Sequence, residues 1–411
     1  ATSTGGTSGT GGVQPTGGAA GATGGSTNAG AGGADSAGSS PGGAAGTSEP
    51  TGGSAGESGG AAGASPGGSG GSLGGGGSGG AGGRGGAAGG GAAGGTSSSQ
   101  STIVPDPSWT CGLPNGIPAP TRGELVFSAT LQVGMNRDAG MTSYGRRRVV
   151  DITGGMVTGS RVQATVLTGG FDFELTLSNG SVELEQIDVL RASDGTLIYM
   201  RSCGVAPPGA SEIRIVPDFE VANSRPLAWL NTGKFVGTRV LDGASNTVRL
   251  EVYDVANVTD GDPRVRITDP TDKPQQPWNC STATGPRGAS VFTENVTLGS
   301  SLSVGASKRG TRNIIPITGG TVTGRFTGSI LPGGADYQLI GSPTTLDARY
   351  VLRSNDGELV LVRNCGPFGA LVPLFEAKAD GAYAFLNSND YVSSDPGTGG
   401  GGVSITFYER N

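Results

Sequence analysis

An internal repeat marked by four cysteines constrains this chain more than any other feature of its sequence. The segments 109–111 and 278–280 both read Trp-x-Cys, and the segments 201–204 and 363–366 both read Arg-x-Cys-Gly. Four cysteines allow three pairings, and the repeated contexts favour the one that places a single bridge inside each copy. The sequence therefore predicts two similar domains in tandem, each held by its own disulfide.

The predicted bridges are Cys111–Cys203 and Cys280–Cys365. Each closes a loop of about 85–92 residues. Such a bridge lowers the entropy of the unfolded chain and thereby stabilises the fold by on the order of 4 kcal/mol. A zinc site is disfavoured because no cysteine lies two to four residues from another and the chain has no histidine. Since disulfides persist in oxidising compartments, we expect a secreted protein, located outside the cell or on its outer surface.

The repeat extends well beyond the cysteines. Short motifs recur in the same order with small changes in spacing, and a proline-rich junction near residues 268–277 separates the two series. This pattern indicates a duplication. The matching segments are 149–159 and 314–324, 169–173 and 333–337, 190–195 and 352–357, and 229–231 and 385–387.

The pattern within each copy is that of β-structure. Apolar residues alternate with polar ones, as in residues 125–133 and 346–352, and Asp-Gly pairs at 194–195 and 356–357 are typical of hairpin turns. We therefore predict an all-β protein, with two tandem antiparallel β-barrel domains after a disordered Gly/Ser/Ala-rich tail. The boundaries are placed at 1–103 for the tail, 104–273 for the first barrel and 274–411 for the second.

Residues 1–100 differ in composition from the rest. About half of the 82 glycines lie there, with no aromatic residue and only four charges. Such a segment buries too little apolar surface to offset the entropy of ordering its backbone, so we predict a flexible tether. The chain has no apolar run long enough for a transmembrane helix. Its start at Ala1 rather than Met is expected of a lipoprotein whose lipid anchor lies just upstream.

The repeated motifs resemble an uncharacterised microbial family called domain of unknown function 3237. The second copy carries Pro-Gly-Gly-Ala-Asp-Tyr at 332–337, Asp-Gly at 356–357 and Phe-Leu-Asn at 385–387. The first copy carries the related Gly-Gly-Phe-Asp-Phe at 169–173 and Trp-Leu-Asn at 229–231. The resemblance implies one β-barrel per copy. It implies no particular activity, because the family has no established one.

The residue types present limit the possible chemistry. Without histidine, Ser-His-Asp and Cys-His catalysis are excluded, and no motif predicts a cofactor or a metal site. Carboxylates, tyrosines and arginines remain, and one hypothesis is that they converge at a barrel mouth. The interpretation that we favour is that the Asp caps a turn and the Asn satisfies backbone groups. The candidate polar residues are Asp336, Tyr337, Arg349, Tyr350 and Asn387 in the second copy, with Asp172 and Asn231 in the first.

These observations favour a surface-anchored binding or structural module over an enzyme. Its expected partner is a small molecule, a glycan or a surface protein. Nucleic acid is disfavoured because the net charge of −6 is spread without long basic runs. Two alternatives stay open: a barrel enzyme of cyclase or isomerase type that acts through Asp336, Tyr337 and Arg349, and a structural component of a surface layer or filament.

Overall fold

A computed structural model describes residues 100–259, 261, 263–270, 280, 284–399 and 402–411. Nearly all of the predicted tether, up to Ser99, lies outside the described residues. Within them, no helix is long and apolar enough to cross a membrane.

The described chain is almost entirely β-structure, which confirms the predicted class. Its 3₁₀ turns are Pro107–Trp109, Pro120–Arg122, Pro226–Asn231 and Ala384–Ser388. The strands of the first half are β1 (Thr102–Val104), β2 (Glu124–Met141), β3 (Arg146–Thr158), β4 (Ala164–Thr176), β5 (Val182–Ala192), β6 (Leu197–Ala206), β7 (Ile213–Val221), β8 (Phe235–Asp242), β9 (Thr247–Asp254) and β10 (Arg264–Arg266). Those of the second half are β11 (Arg287–Leu298), β12 (Leu302–Ser307), β13 (Gly310–Gly324), β14 (Gly328–Ile330), β15 (Ala335–Ile340), β16 (Thr345–Ser354), β17 (Leu359–Pro367), β18 (Val372–Ala377), β19 (Tyr391–Ser393), β20 (Gly397–Gly399) and β21 (Gly402–Arg410).

The first copy is a closed antiparallel barrel of eight strands, β2 to β9, each paired with its sequence neighbours and β9 paired back to β2. Alternate residues face inward, so apolar side chains fill one part of the barrel. Phe219 lies at the centre of this core and packs edge-on against Phe127 and Phe235. Closure leaves no free strand edge in the barrel.

The strands of the second copy follow one another around the sheet in the same order as in the first copy. This second sheet closes less completely. It has 11 strands, with the main path β18-β17-β16-β14-β13-β11-β21-β19. In the first copy β7 and β8 form a three-residue ladder. At the corresponding seam, between β18 and β19, the Ser393 amide donates to the Leu371 carbonyl at 3.3 Å. Pro396 follows shortly after and lacks the N–H group that a longer ladder needs.

Both predicted disulfides are confirmed. Cys111–Cys203 ties the segment before the first barrel to β6, and Cys280–Cys365 ties the junction to β17. The repeated tryptophan has a visible role in the first copy, where the Trp109 indole N–H donates to the Gly204 carbonyl at 2.9 Å. Each bridge therefore fastens a segment that precedes the barrel onto its wall.

The two copies pack against each other through outward-facing side chains. Two apolar clusters draw on both copies: one contains Phe171, Phe173 and Leu361, the other Tyr199 and Tyr337. The Tyr337 hydroxyl donates to the Gly169 carbonyl of the first copy at 2.6 Å. Residues 100 to 411 thus belong to one compact unit.

Candidate ligand cavity in the second copy

A cavity of about 210 Å³ lies inside the second copy, next to its weakly closed seam. Its walls are mainly apolar. Polar groups enter from β15, through Asp336 and Gln338, from β16, through Tyr350, and from β17, through Asn364. Asp336 lies directly opposite Ala348 in the β15–β16 ladder, and Ala348 also lines the cavity. The other lining residues are Val296, Leu298, Ile315, Ile317, Leu346, Phe368, Leu371, Pro396, Val403 and Ile405.

Asp336 places a carboxyl group on the cavity wall. It accepts hydrogen bonds from the Gln338 side-chain amide at 2.7 Å and from the Asp347 backbone N–H at 3.2 Å. Burial outweighs these bonds and raises the pKa of Asp336 to about 6. Both protonation states of this side chain are therefore accessible near neutral pH.

Tyr350 connects the cavity wall to a second carboxyl. Its hydroxyl donates to Glu294 Oε2 at 2.6 Å, and both side chains are fully buried. Burial raises the pKa of Glu294 to about 8, so this group is mostly protonated at neutral pH. Its Oε1 atom has no hydrogen-bond partner among the described residues.

The structure splits the predicted polar site between two faces of the sheet. Asp336 and Tyr350 face the cavity, whereas Tyr337 and Arg349 face the first copy. Arg349 forms an ion pair with Glu185 of the first copy at 2.5 Å. Successive side chains of a strand point to opposite faces, so sequence neighbours such as 336 and 337 cannot share one site.

The two predicted asparagines form hydrogen bonds with backbone groups. The Asn387 amide accepts from the Ala377 N–H at 2.8 Å and donates to the Ala377 carbonyl at 3.1 Å. Asn231 forms the same pair of bonds with Val221, at 2.9 and 2.8 Å. Each asparagine thus caps the end of a strand.

Charged side chains fill the corresponding region of the first barrel. Arg239 on β8 forms an ion pair with Asp172 on β4 and a second with Glu174 at 2.5 Å. Because β4 and β8 are four strands apart in a barrel of eight, this contact crosses the lumen. Gln186 donates to Asp188 at 2.9 Å beside it, and burial raises the pKa of Asp188 to about 8.

The repeat makes the two interiors directly comparable. Asp172 and Asp336 occupy the same place in the repeated Gly-Gly-x-Asp motif. The residue eight positions after the capping asparagine is Arg239 in the first copy and Asp395 in the second. Asp395 accepts from the Gly369 N–H at 2.8 Å, in the loop after β17. The second copy therefore keeps the aspartate and lacks the arginine that fills the first.

Comparison with known proteins agrees with this architecture. The sequence model of the protein of unknown function family DUF3237 matches residues 121–255 and 286–370, more than half of the chain. The chain belongs to this family. Both DUF3237 matches fall on the strands described above, one in each copy, which confirms the predicted resemblance.

Individual proteins are similar to parts of this DUF3237 chain. A UPF0311 protein of Bradyrhizobium diazoefficiens is 43% identical over 91 residues, 21% of this chain and 60% of the relative, which is less than two thirds of its length. A UPF0311 protein of Clostridium acetobutylicum is 36% identical over 130 residues, 28% of this chain and 82% of the relative. A crystal structure of a protein with unknown function from the same species is 29% identical. It covers 32% of this chain and 96% of its own, with a TM-score of 0.30.

The residues of the DUF3237 interiors that the sequence prediction missed include Glu294, Gln338 and Arg239. A signal for Glu294 was present, because it stands between Phe292 and Val296 at an inward position of an alternating strand. A charged residue at such a position indicates a buried polar group. Arg239 had no comparable signal, since its partner Asp172 lies 67 residues away.

One group of potential metal ligands lies in the second DUF3237 copy: Cys280, Asp347 and Cys365. The two cysteines form the disulfide, and Asp347 binds Arg349 and Arg363 through ion pairs at 3.0 and 2.9 Å. The donor atoms are therefore already committed, and the group does not support a metal site.

Proposed function

We propose that the second copy binds a small molecule in its barrel cavity and that the first copy serves as its scaffold. The observation that carries this proposal is the contrast between two duplicated interiors. One is filled by Arg239 and its carboxylate partners, and the other retains a cavity of about 210 Å³ with Asp336 and Tyr350 on its wall. Binding pockets in proteins are typically apolar with a few convergent polar groups.

The size and position of the cavity suit this role. An engineered protein cavity of about 150 Å³ holds a benzene molecule, so the space here accommodates an aromatic ring with a short side chain. Phe368 lines the cavity beside the seam and remains 46% exposed.

Filling the cavity is expected to abolish binding while leaving the fold intact. In Ala348→Phe the new ring occupies space that is empty in the wild type, so the free energy of unfolding should change by less than ~2 kcal/mol. Fragments found by ligand-observed NMR with the full chain should lose at least ~10-fold in affinity, a difference of about 1.4 kcal/mol.

Ala382→Leu is the matched control, since Ala382 is exposed in the same copy. It should leave fragment binding unchanged. The proposal fails if no fragment distinguishes the wild type from Ala348→Phe.

A second candidate function is proton-transfer catalysis of the cyclase or isomerase type. It is favoured by the carboxyl of Asp336, which faces the cavity with its pKa raised to about 6 by burial. A base with a pKa near the working pH is the most effective. Such chemistry would use Asp336 and Tyr350, because Tyr337 and Arg349 face the first copy. For any substrate found, Asp336→Asn should then abolish turnover.

We also propose that the protein works outside the cytoplasm, on or beyond the outer cell surface. The two disulfides support this, because such bonds are rare in reducing compartments. Differential thiol labelling of the protein in fractionated source cells tests the proposal. Reduced Cys111 and Cys203 in protein recovered from the cytosol would overturn it.

A further inference from the structure

We infer that the ligand of the second copy carries a cationic nitrogen, an amine or amidine group on a short apolar body, which pairs with Asp336. This inference rests on the proposed binding function and goes beyond it by naming the ligand's chemical class. It is carried by what occupies the same place in the first copy.

The first copy shows which chemical group lies beside the motif aspartate inside its barrel. Asp172, the counterpart of Asp336, is fully buried and forms an ion pair with Arg239, which is 2% exposed. The occupant is therefore a cation on an aliphatic stem, held across the lumen by the motif carboxylate. A guanidinium and a carboxylate make charge-assisted hydrogen bonds, which are among the strongest in proteins.

The second copy keeps the carboxylate without a cation of its own. Among the described residues that line its cavity there is no lysine and no arginine. Asp336 receives hydrogen bonds from an amide side chain and one backbone N–H, both neutral donors. The second carboxyl of this interior, Glu294, binds the neutral hydroxyl of Tyr350. A cationic ligand would supply the positive charge that Arg239 supplies in the first copy.

The remaining wall fits the apolar body of such a ligand. Ile317, Leu346 and Ile405 line the cavity, and Tyr350 offers an aromatic ring. Ammonium groups are attracted to aromatic faces as well as to carboxylates.

A matched pair of probes tests the inference: 3-phenylpropylamine and 3-phenylpropan-1-ol, titrated into the full chain by calorimetry at pH 7.5 in low salt. The two differ in charge and little in size. We expect the amine to bind at least ~10-fold more tightly than the alcohol, a difference of about 1.4 kcal/mol. In Asp336→Asn the amine should fall to the affinity of the alcohol, and the alcohol should be unchanged.

Asp390→Asn is the matched control, because it removes one carboxylate of the same copy at an exposed pair with Arg410. It should preserve the preference for the amine. Equal binding of both probes to the wild type would overturn the inference and leave the proposed function standing, and this comparison needs no variant. A preference that survives in Asp336→Asn would also overturn it. If neither probe binds and the fragment screen is also empty, the proposed function itself fails.

Discussion

Glu376→Ala is expected to lower the free energy of unfolding by ~3 kcal/mol, because it breaks a buried ion pair between the copies. The Glu376 carboxylate accepts from Arg147 Nε at 2.9 and 3.0 Å and from the Thr142 hydroxyl at 2.6 Å. Arg147 is only 2% exposed, so the substitution leaves a buried guanidinium without this counter-charge. Guanidinium-induced unfolding at pH 7, followed by tryptophan fluorescence, measures the loss.

Glu409→Ala provides the comparison for this prediction. Glu409 pairs with Arg325 in the same copy, but their side chains are 46% and 52% exposed. Exposed pairs contribute about 0–1 kcal/mol, so this variant should remain close to the wild type. Equal losses for the two variants would show that the Arg147–Glu376 contact does not hold the copies together.

Glu294→Gln is expected to remove part of the pH dependence of stability. The carboxyl has an ordinary pKa of 4.5, and burial raises it to about 8 in the folded chain. Between these values the folded protein keeps a proton that the unfolded chain releases. This group's contribution to stability is therefore fully present below about pH 4.5 and falls as the pH rises towards 8.

The glutamine variant should be close to the wild type near pH 4.5, since its amide oxygen can still accept from Tyr350. At pH 8 it should be the more stable protein, by on the order of 3 kcal/mol. Urea unfolding of both proteins across this range measures the difference. Some slope should remain in the variant, because burial also raises the pKa of Asp188 to about 8.

Glu251→Gln is a close control for this substitution. Glu251 accepts from the Tyr253 hydroxyl at 2.8 Å, so it repeats the tyrosine–glutamate pair on the exposed face of a strand in the first copy. Its replacement should change the free energy of unfolding by no more than about 0.5 kcal/mol, because the pair lies at the surface. A profile for Glu294→Gln that runs parallel to the wild type from pH 4.5 to 8 would contradict the assignment of a raised pKa to Glu294.

Asp336 and Arg349 show how far the sequence alone determined the candidate site. Both were predicted as polar candidates because they stand in or near repeated motifs. Strand alternation places residues 336 and 337, and likewise 349 and 350, on opposite faces of the sheet. That these neighbours do not share one site could therefore be predicted from the sequence. The contact of Arg349 with the first copy could not be predicted in this way. Its partner is Glu185, and no periodic pattern in the sequence indicates a contact between the two copies.

The repeat marked by the four cysteines also shows what the sequence determined and what only the tertiary structure decided. The sequence was sufficient to predict the duplication, both disulfides and the all-β class. Cysteine contexts and apolar alternation are patterns within short segments, so they can be recognised without knowing any tertiary contact. Only the tertiary structure decided that the first interior is filled and the second is open. That difference depends on Arg239 crossing a closed lumen to Asp172, and on Asp395 turning instead to the Gly369 N–H at a weakly paired seam. Ion pairs across a barrel join residues that are distant in sequence, so their presence or absence is set by packing rather than by any local pattern.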